Sequence, residues 1–320
     1  MAEQVRADCL VIGGGPGGLA AALYVARFHL SVLVLDEGES RAASIPLSHN
    51  LPGYPQGISG GALIGTLRAQ VEAHGAVLKR GRVTLLQAKD HGFVAETGSG
   101  AILARKVLLA TGVENLRPQA MSDALHDEAL RRGLLRYCPV CDGYEVTDRR
   151  IGVLGSGPHA LREAQFLRSY SARVTLIAPY GPHRLDAPFR EVLADWDIAT
   201  ADGPVTGFAL EGDAITISRE TGALRLNTLY AALGTAARAE LARGSGAALS
   251  PQGGILVDRH QMTSVPGLYA AGDVVEGLDQ IAAAMGQAAV AATAMRNAIC
   301  AETPLKRPWR VVNPPPARRA

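Results

Sequence analysis

The stretch Cys9 to Asp36, CLVIGGGPGGLAAALYVARFHLSVLVLD, constrains the fold of this chain more than any other. The apolar run Cys9 to Ile12 reads as a buried strand, Leu19 to Phe28 as a helix, and Ser31 to Leu35 as a second strand closed by Asp36. Between strand and helix, Gly13, Gly15 and Gly18 keep the spacing G-x-G-x-x-G. Gly13 permits a tight turn, Gly15 lets a pyrophosphate approach the backbone, and Gly18 lets the helix lie close on the sheet. The helix N-terminus attracts phosphate charge, and Asp36 can accept hydrogen bonds from a ribose. A glycine pattern alone says little. Strand, glycines, helix, strand and acid in this order specify a dinucleotide fold.

The pattern recurs in RIGVLGSGPHALREAQFLRSYSARVTLIAPYG, with Gly155, Gly157 and Ala160 after an apolar run. Ala178 now stands where the acid stood. It cannot bind a ribose hydroxyl, and Pro179 and Tyr180 offer no phosphate-binding arginine. This second unit has the shell of a dinucleotide site without a reader for NAD or NADP. A retained scaffold that binds nothing, or something else, is the other reading. Further segments tie the chain together: KVLLATGV ends in Thr111-Gly112, TLYAALGTA repeats that form, and GLYAAGD ends a strand in Gly272-Asp273, where open α/β sheets bind ligands. The expected fold class is α/β, with two Rossmann-like (three-layer ββα) nucleotide-binding domains, the second inserted in the first. Residues 1–112 and 244–320 form the discontinuous first domain and residues 118–243 the second. Hinges are expected near Val113 to Pro118 and Thr235 to Gly246. The chain has 320 residues with 48% hydrophobic content, enough for two cores, and aromatics at 5% fit close helix-on-sheet packing.

A net charge of +2 gives no case for nucleic acid or membrane as partner. The N-terminus shows no signal-peptide pattern, and Ile281 to Ile299, Ala-rich but carrying Gln287, Arg296 and Asn297, reads as a buried helix, so a cytoplasmic protein is expected. The end, KRPWRVVNPPPARRA, reads as a basic, proline-rich irregular tail.

Four cysteines make no disulfide framework. Two of them, Cys138 and Cys141, stand three apart in YCPVCDGYE. Zinc needs four ligands, whereas Cys9, Cys300, His126 and His159 are all isolated, so no metal is expected. A structural disulfide is the other alternative to a redox pair, which the chemistry favours. Two intervening residues allow an S–S bond at a turn opening a helix, and a helix N-terminus favours thiolate. Pro139 restricts φ and removes a donor, which tunes how readily the pair is oxidised. Asp142 can shuttle the proton that a leaving thiolate needs, or serve as an Asx turn or helix cap.

GGGPGG, HNLPGYPQGISGGAL, ATG, CPVCDG, GSGPHA and SVPGLYAAGD, in this order, resemble the low-molecular-weight thioredoxin reductases over Asp8 to Ile299. The resemblance implies a homodimeric FAD-dependent disulfide oxidoreductase whose domains rotate to present the Cys pair alternately to flavin and to a protein disulfide. It implies that Cys138 attacks the substrate disulfide, Cys141 faces the flavin, and Asp142 is the acid/base. Gly13, Gly15, Pro16 and Gly18 would frame the FAD pyrophosphate and Asp36 the ribose. Gly112, Gly272 and Asp273 would line the ribityl and phosphate path. His49 to Gly53 would run beside the isoalloxazine, with Asn50 a polar contact and His49 either a contact or a plain loop histidine. Gln280 and Ile281 would place a helix N-terminus at the N1–C2 edge. Two departures stand out. The family's basic run for the NADPH 2′-phosphate is Ala178-Pro179-Tyr180 here, with Arg184 the one basic residue at a motif position. The family's Arg-Gln-Ala is Asp279-Gln280-Ile281. Both also resemble a divergent branch that includes ferredoxin-linked and diflavin-linked oxidoreductases and dithiol oxidases. The expectations are therefore FAD, weak or absent NADPH use, and a second flavin or nothing in the second fold. The partner would be a thioredoxin-like protein or a small disulfide or dithiol, with a ferredoxin-type donor. The rivals are a conventional NADPH–thioredoxin reductase, an oxygen-dependent dithiol oxidase and a non-catalytic flavin-binding redox sensor. Trp309 would either stack on a flavin or sit at a surface.

Overall fold

The computed structural model describes residues 5–306. The first strand spans Val5–Ile12, longer than its apolar run, because residues from Val5 onward already pair in parallel with Gly100–Leu109. The first helix starts at Pro16 and ends at Arg27. Proline's fixed φ suits the first helical turn, where its missing N–H has no partner to lose, so the helix begins three residues earlier than its apolar run suggests. The second strand is Val32–Asp36.

These elements belong to a seven-stranded sheet. Its order is Val77–Arg80, Val32–Asp36, Val5–Ile12, Gly100–Leu109, Gly92–Thr97 and Val83–Lys89, with Leu268–Ala270 also on Gly100–Leu109. The first four strands and Leu268–Ala270 pair in parallel, and the last two antiparallel. Two cores lie on its two faces. One packs the helices Pro16–Arg27, Gly60–Ala73 and Ile281–Glu302 against it through Ala21, Ala22, Ala288, Ala291 and Ala292, all fully buried, and methyl-sized side chains let the helix backbones approach closely. The other face is covered by Phe93, Ala95, Ile102, Ile255 and Val274.

A second sheet of five parallel strands has the order Ala199–Ala201, Val174–Ile177, Ile151–Leu154, Thr228–Ala231 and Leu135–Arg136. The helix Gly157–Arg168 packs on it through Ala160, Ala164 and Leu167. A three-stranded antiparallel layer, Val205–Glu211, Ala214–Arg219 and Gly222–Leu226, covers its other face through Ile215 and Ile217. The two crossings between the sheets pair with each other, Val113–Asn115 antiparallel to Thr235–Ala237. The α/β architecture is thus two Rossmann-like units, the second interrupting the first. Among the described residues no helix is long and apolar enough to cross a membrane. Trp309 and the tail around it lie outside the described residues.

Candidate active site

The glycine turn is built by close approach. A Cβ on Gly13, whose φ is +108°, would overlap the Ala110 carbonyl, and one on Gly18 would overlap the Gly13 carbonyl. Gly15 faces open space apart from Ser40 Oγ, at the mouth of the helix that Pro16 opens. Asp36 Oδ1 accepts the Gly14 N–H at 3.0 Å, and its carboxylate pairs with Arg68. Arg68 Nε is buried with no partner among the described residues, an orphan donor beside the residue expected to read a ribose. Gly112 and Gly272 adopt left-handed φ of +68° and +82° at the ends of the two strand-to-loop turns. Asp273 Oδ2 accepts from Arg41 Nη1 at 2.8 Å, and Asp279 Oδ2 from the same nitrogen at 3.3 Å. Burial and the neighbouring Asp273 carboxylate push Asp279 up to about 6, against the pull of Arg41. Gln280 is the N-cap of Ile281–Glu302 and makes no side-chain cap bond, so the first N–H groups of that helix point outward unpaired by it. An open turn at a helix N-terminus, an orphan guanidinium nitrogen, an arginine paired with Asp273 and a second helix N-terminus fit FAD.

The cysteine pair sits against this same edge. Cys138 and Cys141 form a disulfide with Cα atoms 5.3 Å apart, Cys138 just before the short helix Pro139–Asp142 and Cys141 within it. Cys138 is its N-cap, and its Sγ accepts the Cys141 N–H at 3.1 Å. Across the gap, Gln280 Nε2 lies 3.3 Å from Cys138 Sγ and 3.2 Å from Cys141 Sγ. Asn50 Nδ2 donates to Gln280 Oε1 at 2.9 Å and reaches the Val140 carbonyl at 3.5 Å. His49 is an exposed loop residue beside this contact.

Among the described contacts the Asp142 carboxylate accepts from side chains rather than from the backbone N–H groups an Asx turn or helix cap would use. Its Oδ2 accepts from Arg136 Nη1 at 2.6 Å and its Oδ1 from the Tyr230 hydroxyl at 2.8 Å. Burial raises its carboxyl above the usual range, with Arg136 and the Tyr230 hydroxyl opposing. Arg136 and the Tyr230 hydroxyl both hold its carboxylate oxygens, so the raised carboxyl keeps a charged and a neutral partner at once. Before the pair, Tyr137 shares a hydrogen bond of 2.8 Å with His126 Nε2, and burial pushes its phenol up to about 12.

The second glycine turn has the same close packing, Gly155 against Ala160 and the Ala232 carbonyl. Beyond the C-terminal ends of its strands lies a cavity of about 350 Å³, lined by Leu154, Pro179, Tyr180, Pro204, Phe208 and Leu233 among others, with no lysine or arginine in its wall. Gly157, with φ +75°, opens the helix above it, while Arg184 is exposed and lies outside the lining. Ala178 is buried. No group of three or more His, Cys, Asp or Glu side chains is placed to hold a metal ion among the described residues.

The structure brings Asn50, Gln280, Cys138 and Cys141 into one cluster, with Asp142 behind it, and sets Gly13, Gly15, Pro16, Gly18, Asp36, Gly112, Gly272, Asp273 and Ile281 along one edge. Sequence reasoning missed Arg41, Arg68, Arg136, Tyr230 and Ser48. Arg136 had a faint signal, a cation two residues before the pair. Arg41, Arg68 and Tyr230 carry none, because each meets its partner only through the fold, whereas Ser48 lies only two residues from its partner Asn50.

The protein family described as pyridine nucleotide-disulphide oxidoreductase matches residues 7–288. A thioredoxin reductase of Mycolicibacterium smegmatis is 31% identical over 288 residues, covering 86% of this chain and 90% of that protein. The crystal structure of HlmI aligns with a TM-score of 0.85 at 30% identity over 94% of each chain. The thioredoxin reductase of Streptococcus pyogenes MGAS5005 aligns with a TM-score of 0.85 at 26% identity, over 93% of this chain and all of that one, 100%.

Proposed function

This chain belongs to the pyridine nucleotide-disulphide oxidoreductases, within them to the thioredoxin-reductase family, and is an FAD-dependent disulfide oxidoreductase; on that premise we propose how it works and what it exchanges electrons with. The route of electrons runs between FAD and the Cys138–Cys141 pair, and from Cys138 to the disulfide of a thioredoxin-like protein or to a small disulfide or dithiol. The observation that carries this reading is the placement of the disulfide against Gln280, at the N-terminus of the helix that closes the FAD edge. FAD when bound supplies the two-electron chemistry. Gly13, Gly15, Pro16, Gly18 and Arg41 hold its phosphates, Asp36 with Arg68 its ribose, and Asp273 with Gly112 and Gly272 the chain between the phosphates and the ring. Asn50, Gln280 and Ile281 line the ring end. Asp142 protonates the thiolate that leaves when the pair is reduced and takes the proton back on the return, while Arg136 and Tyr230 hold its carboxyl in place. Residues 1–112 with 244–320 act as one body and 118–243 as the other. The paired crossings Val113–Asn115 and Thr235–Ala237 form the hinge, and two copies form the working dimer.

NADPH is a poor donor in this reading, because the crevice where a nucleotide would lie has no cation in its wall, and Ala178, Pro179 and Tyr180 stand in place of phosphate-binding groups. A ferredoxin-type donor, or oxidation of a small dithiol by oxygen, runs without any nucleotide there, and the apolar wall suits a neutral ring such as a second flavin better than a 2′-phosphate. Mixing the oxidised holoenzyme with NADPH in the absence of oxygen tests the donor. The reading predicts slow, incomplete bleaching of the visible flavin band, with rapid bleaching by a small dithiol; fast, complete bleaching by NADPH restores the conventional reductase.

A further inference from the structure

Gln280 is an unusual N-cap: side chains at this position normally turn back onto the helix N–H groups, and this one does not. Its amide faces the redox sulfurs instead, 3.3 Å from Cys138 Sγ and 3.2 Å from Cys141 Sγ. Disulfide sulfurs carry no hydrogen, so an amide meets them only through N–H. That assignment fixes the neighbours. Gln280 Oε1 must accept, and does, from Asn50 Nδ2 at 2.9 Å; Asn50 Oδ1 in turn accepts from Ser48 Oγ at 2.9 Å. Ser48 is buried, and its backbone is locked to Ile58 by N–H to carbonyl bonds of 2.8 and 3.0 Å in both directions. A three-residue relay thus holds one N–H donor on the two sulfurs.

A neutral disulfide is a weak acceptor and makes little use of such a donor. A thiolate makes much more, since hydrogen bonds to an ionised partner are about twice as strong as neutral ones. The donor therefore acts on the reduced pair more than on the oxidised one. We infer that Gln280 is a catalytic hydrogen-bond donor that stabilises the thiolate of the reduced Cys138–Cys141 pair, with Asn50 and Ser48 as positioning residues that keep its amide turned toward sulfur. The inference rests on the reading that this pair is the redox centre. The other groups around the pair are accounted for. The Cys141 N–H donates to Cys138 Sγ, Asp142 is held by Arg136 and Tyr230, the Tyr137 hydroxyl is engaged by His126, and Asp279 beside Gln280 is held by Arg41. Among these described contacts, Gln280 supplies the side-chain donor that touches both sulfurs.

The test measures thiol ionisation directly. Iodoacetamide alkylation rates are followed against pH in full-length holoenzyme with one redox cysteine at a time, Cys138→Ser or Cys141→Ser. The thiolate attacks the carbon, a C–S bond forms, the C–I bond breaks and iodide leaves, so the rate tracks the thiolate fraction. Adding Gln280→Leu is expected to slow alkylation at pH 7 by about three- to tenfold, up to one unit in ionisation constant, and to move the midpoint upward in at least one background. Gln280→Glu, of the same shape, is expected to move it further, because a carboxylate donates nothing and repels the thiolate. Asn50→Leu is expected to give a smaller upward move by freeing the amide to turn. A merely structural role would not produce this ordering. Profiles that superimpose in both backgrounds, or that move downward, overturn the inference. If Cys138→Ser leaves disulfide turnover intact, the redox reading fails instead, whatever the alkylation profiles show.

Discussion

Asp142 lies between a guanidinium and a phenol, and its chemistry follows from that position. Its carboxylate is held by Arg136 and the Tyr230 hydroxyl, and the proposed role is to carry the proton of the thiolate that leaves. Asp142→Asn keeps the shape and the hydrogen-bonding reach but removes the proton carrier, so disulfide turnover is expected to fall by about 10²-fold or more. Reduction of the pair by excess small dithiol should survive the change, which steady-state turnover and a thiol count together would show. Near-normal turnover would remove Asp142 from the proton path. Asp279 offers a test of the flavin edge. Its folded-state carboxyl is raised to about 6, whereas an unfolded aspartate sits near 3.9, so the folded chain keeps this proton in a window where the unfolded chain has lost it. The stabilisation from that proton is complete below the unfolded value and is lost as pH rises through about 6. Asp279→Asn never carries that penalty. Its melting temperature, relative to the parent, should therefore rise from pH 4 to pH 7; a constant or shrinking difference would contradict the assignment. At this scale the sequence was legible where chemistry is local. The spacing of Cys138 and Cys141 and the neighbouring Asp142 could be read directly. The partners Arg41, Arg68 and Tyr230 could not, because Arg41 meets Asp273 across 232 residues and Tyr230 meets Asp142 across 88, while Arg136, close to the pair in sequence, left only a faint signal.

The elements were legible in kind and less so in extent. Both glycine turns appear as read, since Gly13, Gly18 and Gly155 are required by close backbone approach and not by preference. The helix after the first turn begins at Pro16 because proline tolerates the first turn, a property that an apolar-run criterion ignores. The ribbon joining the two sheets was visible in sequence only as turn-rich stretches, since three-residue strands carry too little pattern to announce pairing. The close contact of Gly18 with the Gly13 carbonyl gives an element-scale prediction. Gly18→Ala must push the helix Pro16–Arg27 away from the turn, at a cost of about 1–3 kcal/mol as for other overpacked sites. Thermal melting should fall, and FAD recovered per chain should fall with it. A variant with unchanged melting and full FAD content would show that the helix need not lie so close.

The whole molecule is two Rossmann-like units that differ in what their walls offer. The first keeps an acid, two arginines and a second helix N-terminus along its edge; the second keeps the glycine turn and helix but lines its crevice with proline, tyrosine, phenylalanine and leucine. The disulfide belongs by sequence to the second unit and by contact to the first, through Gln280 and Asn50. That placement is the centre of the account: sulfur and flavin exchange electrons within one chain. An anaerobic reductive titration of the holoenzyme with dithionite, followed by flavin absorbance, tests it most directly. The account predicts that the parent protein takes up one electron pair more per chain than Cys138→Ser before its flavin is fully reduced. Equal uptake by the two proteins would contradict it.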